Sequence, residues 1–509
     1  MQRDGARESL WQHGVNDFQP TNSWDKNTEY DVVIVGAGVT GLTTALVLQQ
    51  EGLKCIVAEA HTVGFGTSGG TTAHLNTLLD STYAEVEKNF SEEEAKTLAS
   101  GLREAIDLIE GLINKYNIDC DFMYKAAYLY AENDKESKEL EKIKKASEKA
   151  GIVLDWSDTI PVPIPFDSAL RIEMQAQLHA GKYLMGLAKA FEQEGGVILQ
   201  HCKVNDITGT DGLTADTTLG DIKAKKAVYA THIPPGVNIF SLRCAPYRSY
   251  AMAFTLNSGN YPDGMAYDMK DIYYYFRTHE VDGVKYVIGG GCDHKTGHND
   301  NTEYVFTELE SYMRRYFDIE KVAYKWSSQY YIPTDGLPYI GTMPGSEHIC
   351  IATGFGGNGM VLGSLAAKII CAIKENKETP LIELFDPSRI KLIAGFSAFV
   401  KENADVVSTF IGQKLSFEKV KTLVELAPGQ AIVAEYDDRK VALYKDDRGH
   451  VYALDPVCPH AKCTVTWNSA EKTWDCPCHG GRYAANGDLL TGPATKGLTQ
   501  IKWEDIEGD

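Results

Sequence analysis

The stretch Asp31-Val32-Val33-Ile34-Val35-Gly36-Ala37-Gly38-Val39-Thr40-Gly41 (DVVIVGAGVTG) decides how this chain begins to fold. Its first half is a continuous apolar run of strand character, and its second half is rich in glycine. Leu42 to Gln50 then reads as a helix, and Lys54 to Ala58 as a second strand that ends at Glu59. A G-x-G-x-x-G alone is a weak signal. Here it lies between strand and helix and is followed about twenty residues on by a carboxylate, which completes the dinucleotide-binding fingerprint. The glycines let the backbone approach a pyrophosphate at the helix N-terminus, and Glu59 is placed to accept from a ribose hydroxyl. The bland alternative is a glycine-rich turn of packing value only.

The rest of the composition frames that reading. At 509 residues the chain is long enough for about two or three domains and a large core. A net charge of -20 argues against nucleic acid or an anionic membrane as partner, since both are bound through basic patches. No run approaches the ~18 apolar residues of a membrane span, and the opening MQRDGARESLWQ lacks a signal-peptide pattern. The expectation is a cytoplasmic protein with no transmembrane segment, contact with a membrane surface being left open. Of the eleven cysteines, four cluster in the last module and seven are scattered, unlike an extracellular disulfide framework.

NAD and FAD share the fingerprint, and the sequence beyond Glu59 separates them. Gly64-Phe65-Gly66-Thr67-Ser68-Gly69-Gly70-Thr71-Thr72-Ala73-His74 resembles the loop that the D-amino-acid oxidase, glycine oxidase and sarcosine oxidase superfamily runs along its flavin. The resemblance returns in Thr334-Asp335-Gly336-Leu337-Pro338-Tyr339-Ile340-Gly341 and in Gly354-Phe355-Gly356-Gly357-Asn358-Gly359-Met360. It implies an α/β Rossmann-type FAD-binding domain with a mixed α+β substrate domain, the flavin site drawing on both ends of the unit. The FAD contacts it implies are Gly36, Gly38, Gly41, Glu59, Thr67, Ser68, Thr71, Thr72, Val204, Asp335, Gly354, Gly356, Gly357, Gly359 and Met360. Gly354-x-Gly356-x-x-Gly359 also fits the fingerprint, after a strand at Ile349 to Ala352 and before a helix at Leu362 to Ile373. No second strand follows, because the helix runs into the solvated, proline-ended Lys374 to Pro380. We read it as a helix N-terminus aimed at the flavin ring and not as a second nucleotide site. His74 lies near where some relatives attach flavin covalently, but its spacing does not align, and noncovalent FAD is expected.

A different chemistry stands near the other end. Cys458-Pro459-His460-Ala461-Lys462-Cys463 and Trp474-Asp475-Cys476-Pro477-Cys478-His479-Gly480-Gly481 bring thiols and imidazoles together in short spacings. Two Cys and two His could hold a tetrahedral zinc, but Cys463 and Cys478 are then spare. The pair of motifs resembles the Rieske family in its cytochrome bc-type branch. That resemblance implies an all-β module with a [2Fe-2S] cluster held by Cys458 and Cys476 on one iron and by His460 and His479 on the other. It also implies a disulfide between Cys463 and Cys478. Where the family has a serine this chain has Gly481, whereas Tyr483 stands where the family places a tyrosine.

Three segments are expected: a FAD-dependent oxidoreductase unit over 1-385 (FAD-binding segments about 28-85, 145-240 and 325-385), a helical connector over 386-420, and the Rieske domain over 421-509. Within the middle, Asp271-Ile272-Tyr273-Tyr274-Tyr275-Phe276-Arg277 reads as an aromatic strand ending in a cation. In the amine-oxidising family this region lies over the flavin, so Arg277 is a candidate to grip a substrate carboxylate; a solvated surface arginine is the competing view. His179, Tyr250, His74 and Tyr247 are further pocket candidates against ordinary structural roles, and His294 with His298 reads as loop. The function implied is oxidation of an amine or N-substituted amino acid, with electrons passing from FADH2 through the cluster to an external one-electron acceptor, more as a dehydrogenase than as an oxidase. Two alternatives stay open: a reductase fed by a reduced one-electron donor, and a redox carrier or sensor with no small-molecule substrate.

Overall fold

The computed structural model describes residues 1–270, 273–390, 426–436 and 439–501. Most of the helical connector expected over 386-420, and the boundary after it, lies outside the described residues. The opening strand, Glu29–Val35, runs between two parallel neighbours, Ile222–Tyr229 and Cys55–Ala58. A strand in that position is covered on both faces, which is why Val32 to Val35 is apolar without alternation. Gly36 then turns the chain at φ +106°. A Cβ on Gly41 would stand 1.9 Å from the Gly36 carbonyl oxygen, so the helix Val39–Gln50 starts this close to the strand only with glycine there. Outward from the centre the sheet adds Val197–Leu199 on one side and Ile349–Thr353 with Tyr339–Thr342 on the other. Val39–Gln50 packs against the late helix Gly359–Lys374, so the first and last parts of the unit close on each other as expected.

A second sheet of nine strands has the order Ile319–Pro333, Cys244–Leu256, Val284–Lys295, Tyr275–Val281, Met265–Asp268, Met123–Ala131, Ser168–Gln177 and His74–Leu75, with Asp155–Trp156 at its side. It is antiparallel except where Met265–Asp268 runs parallel to Met123–Ala131. His294 belongs to the strand Val284–Lys295 and not to a loop, a correction that follows from its pairing with Arg248. Beyond residue 426 the described chain is all β, in a three-stranded and a four-stranded sheet. Among the described residues no helix is long and apolar enough to cross a membrane.

The C-terminal module is fastened to the rest by buried charge. Arg482 pairs with Asp4 and, at 3.2 Å, with Asp475; Arg248 reaches Asp475 at 3.5 Å, and Arg3 reaches Glu471 at 3.7 Å. Glu471 also accepts from the Ser327 amide and hydroxyl, each at 2.8 Å. Burial alone would raise the Asp4 carboxyl, but the guanidinium groups of Arg482, Arg3 and Arg248 outweigh it and hold that acid below its ordinary value. Removing one member leaves its partners buried and uncompensated. Arg482→Met is therefore expected to destabilise the protein by about 3–5 kcal/mol, read as a lower urea midpoint. The Asp4 contribution is present above the unfolded carboxyl pKa of about 3.9 and is lost as pH falls through its lower folded value. Stability measured between neutral pH and pH 3 should accordingly decline at the acid end, and less steeply in Asp4→Asn.

Candidate active site and metal centre

One cavity of about 1400 Å³ lies between the two large sheets. Gly36, Gly38 and Glu59 line it, as the fingerprint requires, and so do Thr67, Ser68, Thr71, Thr72, Val204, Gly356, Gly357, Gly359 and Met360. Glu59 is held at the strand end by the Ala37 amide at 2.7 Å and the His61 amide at 2.9 Å. Ser68 accepts from the Val39 amide at 3.1 Å, which ties the loop to the start of the helix. Three expected contacts do not face the cavity. Gly41 packs the helix on the strand, Asp335 makes a two-pronged pair with Arg389 at 2.8 Å for each oxygen, and Gly354 stands against Cys244 and Pro333.

The second sheet supplies the other wall: Tyr247, Ser249 and Ala251 from one strand, Tyr275 and the preceding Tyr273 from another, with Asp293 and Tyr330 from two more. The three residues expected to be catalytic are not in that wall. Tyr250 alternates to the opposite face, where its hydroxyl meets His294 Nε2 at 2.9 Å. His179 is buried, accepts from the Lys182 amide at 3.3 Å and packs its ring on Trp11. Arg277 is buried as well. Its guanidinium donates to the carbonyls of Thr72 at 2.9 Å, Ala73 at 2.7 Å and Leu178 at 3.3 Å, over the Trp11 ring. Burial pulls it down to about 9. Arg277 braces the Thr72–Ala73 backbone, and among the described residues it does not line the cavity. His74 and Tyr247 do line the cavity.

The four expected cluster ligands come together on two facing loops. The Cys458 and Cys476 thiols are buried close together, and the Tyr483 hydroxyl lies 3.0 Å from Cys458 Sγ. The His460 and His479 rings stand 4.9 Å apart. His460 Nδ1 and both ring nitrogens of His479 are buried without a hydrogen-bond partner. Two thiols beside imidazole nitrogens that find no protein partner form a donor set that fits a Cys2His2 iron-sulfur cluster. Cys463 and Cys478 are disulfide-bonded and join the two loops.

The His479 imidazole is turned away from solvent, and His460 is half-buried. His479 is 6 % exposed. His460 Nε2 lies 3.2 Å from the Gly236 carbonyl oxygen and 3.4 Å from Ser241 Oγ, both in the large unit. The carbonyl of His479 accepts from the Tyr331 hydroxyl at 3.2 Å, and that of Gly480 from Gln329 Nε2 at 2.8 Å. Tyr331, Gln329 and the loop residues Thr231 to Ile233 line the cavity on their other side. Leu489 to Gly492, from the C-terminal module, form part of the same wall. Sequence reasoning placed the stretch holding Tyr273 and Tyr275 over the flavin but picked Arg277 from it, and missed Tyr330, Asp293 and Tyr331, for which only the strand order shows which face they take.

Comparison with known proteins agrees with this geometry. Residues 31–373 match the family FAD dependent oxidoreductase, and residues 416–502 match the Rieske [2Fe-2S] domain. The putative Rieske 2Fe-2S iron-sulfur protein YhfW of Bacillus subtilis (strain 168) is 32% identical over 500 residues, covering 97% of this chain and 98% of that protein. Gamma-glutamylputrescine oxidoreductase of Escherichia coli (strain K12) is 24% identical over 72% of this chain and 88% of its own length. The crystal structure of glycine oxidase from Geobacillus kaustophilus superposes with a TM-score of 0.59 at 21% identity, covering 71% of this chain and 99% of that one.

A Cβ on Gly481 would lie 3.2 Å from the Tyr483 hydroxyl and 3.8 Å from Cys458 Sγ. A serine there puts a second hydroxyl beside the ligand sulfur, and hydrogen bonds to cluster sulfurs favour the reduced state. Gly481→Ser is expected to raise the cluster midpoint by about 40 mV, the equivalent of one hydrogen bond of about 1 kcal/mol for one electron. Redox titration against the wild type reads the shift; an unchanged or lower midpoint contradicts it.

Proposed function

The chain belongs to the FAD dependent oxidoreductase family and carries a Rieske [2Fe-2S] domain, and from that premise we propose that it oxidises an amine or amino acid and delivers the electrons singly, through the cluster, to an external carrier. When bound, the flavin takes a hydride equivalent from a carbon next to nitrogen and the cluster carries one electron at a time. This chain's residues supply the setting. The glycines at 36 and 38 admit the pyrophosphate to the helix N-terminus, and Glu59 is placed for a ribose hydroxyl. The first-turn amides of Gly359–Lys374 point toward the cavity and favour negative charge on the ring system seated there. Arg277 fixes the Thr72–Ala73 backbone along which that ring would lie. Cys458, His460, Cys476 and His479 are the ligand set we assign to the cluster.

The observation that carries the reading is the shared wall. Tyr331 and Gln329 line the cavity and also donate to the His479 and Gly480 carbonyls, so the cavity and the cluster loop share side chains. On the same side, His460 meets Gly236, whose amide donates to Pro493 of the C-terminal module at 2.8 Å. Such contact favours transfer within the molecule over release of electrons directly from the flavin.

Anaerobic mixing of the holoenzyme with a panel of amines and amino acids tests this, with flavin bleaching and cluster reduction followed by their separate spectra. A donor in the panel should bleach the flavin first and reduce the cluster second. If only a reduced carrier reduces either centre, the proposed direction is wrong. Tyr331→Phe should leave flavin bleaching unchanged and slow the second phase about fivefold, the weight of one hydrogen bond of about 1 kcal/mol.

A further inference from the structure

The part of the cavity walled by the second sheet has an unusual balance of groups. Tyr247, Tyr273, Tyr275 and Tyr330 line it, with the Tyr273 and Tyr275 ring centroids 5.9 Å apart and those of Tyr247 and Tyr330 6.1 Å apart. Among these rings sits the Asp293 carboxylate. Its Oδ2 accepts from the Tyr330 hydroxyl at 2.7 Å and the Ser249 hydroxyl lies close to the carboxylate, whereas its buried Oδ1 makes no well-directed hydrogen bond. Asp80 stands nearby at the rim, accepting from the Tyr273 hydroxyl at 3.0 Å and from the Gly357 amide at 2.7 Å. Burial pushes the Asp293 carboxyl up to about 6, and the charge of Asp80 adds to that rise.

Positive charge is directed elsewhere. Among the described residues no arginine lines the cavity. Arg277 spends its donors on backbone carbonyls and His279, Lys203 donates to the Thr495 carbonyl at 2.8 Å, and Lys270 is held by Glu132 at 2.6 Å and Asp268 at 3.4 Å. The Lys295 charge reaches His479 at the cluster loop. A substrate carboxylate brought here would face Asp293 and Asp80 without a bidentate partner.

We propose that this wall is a cation-recognition site, in which an alkylammonium group seats against Asp293 Oδ1 between the tyrosine ring faces, so that the substrate is a diamine or polyamine and not an amino acid held by its carboxylate. Carboxylate and aromatic faces both attract an ammonium group, and more strongly away from water. The recognised nitrogen is distinct from the one oxidised. A nitrogen held as ammonium has no lone pair to support hydride loss from its neighbouring carbon, so the reacting carbon belongs to a second, neutral amine. The inference rests on the oxidation of a carbon–nitrogen bond proposed above and specifies the compound that undergoes it.

The test compares matched donors on the anaerobic holoenzyme. 1,4-Diaminobutane and 4-aminobutanoate differ in whether the distal group is ammonium or carboxylate; glycine, sarcosine and L-proline complete the panel. 1,4-Diaminobutane should half-saturate flavin bleaching at a concentration at least about tenfold below 4-aminobutanoate, and Asp293→Asn should raise that concentration by about tenfold or more, as for loss of a charged hydrogen-bond partner. The variant's FAD content and cluster spectrum should stay at wild-type levels. In the wild-type enzyme, tetramethylammonium should compete with the diamine, a readout that does not depend on the variant folding. Equal or better bleaching by the carboxylate-bearing donors, an unmoved half-saturation in Asp293→Asn, or absence of competition overturns the cation site while leaving carbon–nitrogen oxidation standing. Bleaching by no donor overturns both.

Discussion

Six buried charged side chains, Arg3, Asp4, Arg248, Glu471, Asp475 and Arg482, join three parts of the chain that lie far apart in sequence. Three guanidinium groups face three carboxylates, so the cluster is neutral as a whole although each member is desolvated. A buried charge tolerates displacement poorly, because losing its partner exposes the full cost of desolvation. The network is therefore a strong constraint on position, whatever its net contribution to stability. It fixes the strand Thr473–Asp475 against the large unit, and Cys476, Pro477 and His479 follow directly from that strand. The cluster loop is aimed by what precedes it.

Close steric fit refines what the charges set. A Cβ on Gly297 would stand 2.9 Å from Pro477, and one on Gly480 would stand 2.7 Å from both Gln329 Nε2 and Pro246 Cβ. Gly480 also lies at φ +73°, where a side chain is strained. These contacts bring the loop backbone near enough to the strand Ile319–Pro333 for its carbonyls to accept from Tyr331 and Gln329. That strand thereby carries both a wall of the cavity and the seat of the cluster loop.

What was legible in the sequence was local. The strand, glycine turn and helix of the fingerprint occupy one continuous segment, so spacing carried that reading, and the cluster ligand set came from the resemblance of two short motifs to the Rieske family. The substrate wall could not be read in the same way. Tyr247, Tyr275 and Tyr330 belong to different strands, and their convergence depends on a strand order that no local pattern states. Arg277 shows the same limit. Alternation places it on the face of Tyr275, yet the backbone at Thr72 and Ala73 covers it and takes its donors. Arg3 and Asp4 carried no signal at all, because the partner of Asp4 is 478 residues away.

Orientation of the imidazoles bears on how electrons can leave. Had His460 and His479 faced solvent, an external carrier could have met the cluster through them without concern for the flavin. With His479 buried and His460 half-buried against Gly236, that edge is turned largely toward the large unit. The carrier proposed above would then meet the cluster at the half-buried His460 or by another side, unless the module parts from the large unit to present both histidines. Parting would break the pairs of Asp4 and Asp475 with Arg482 and Arg248 and leave buried polar groups to be resolvated together. The first route asks for no such rearrangement, and it leaves the cluster loop at a fixed distance from the cavity.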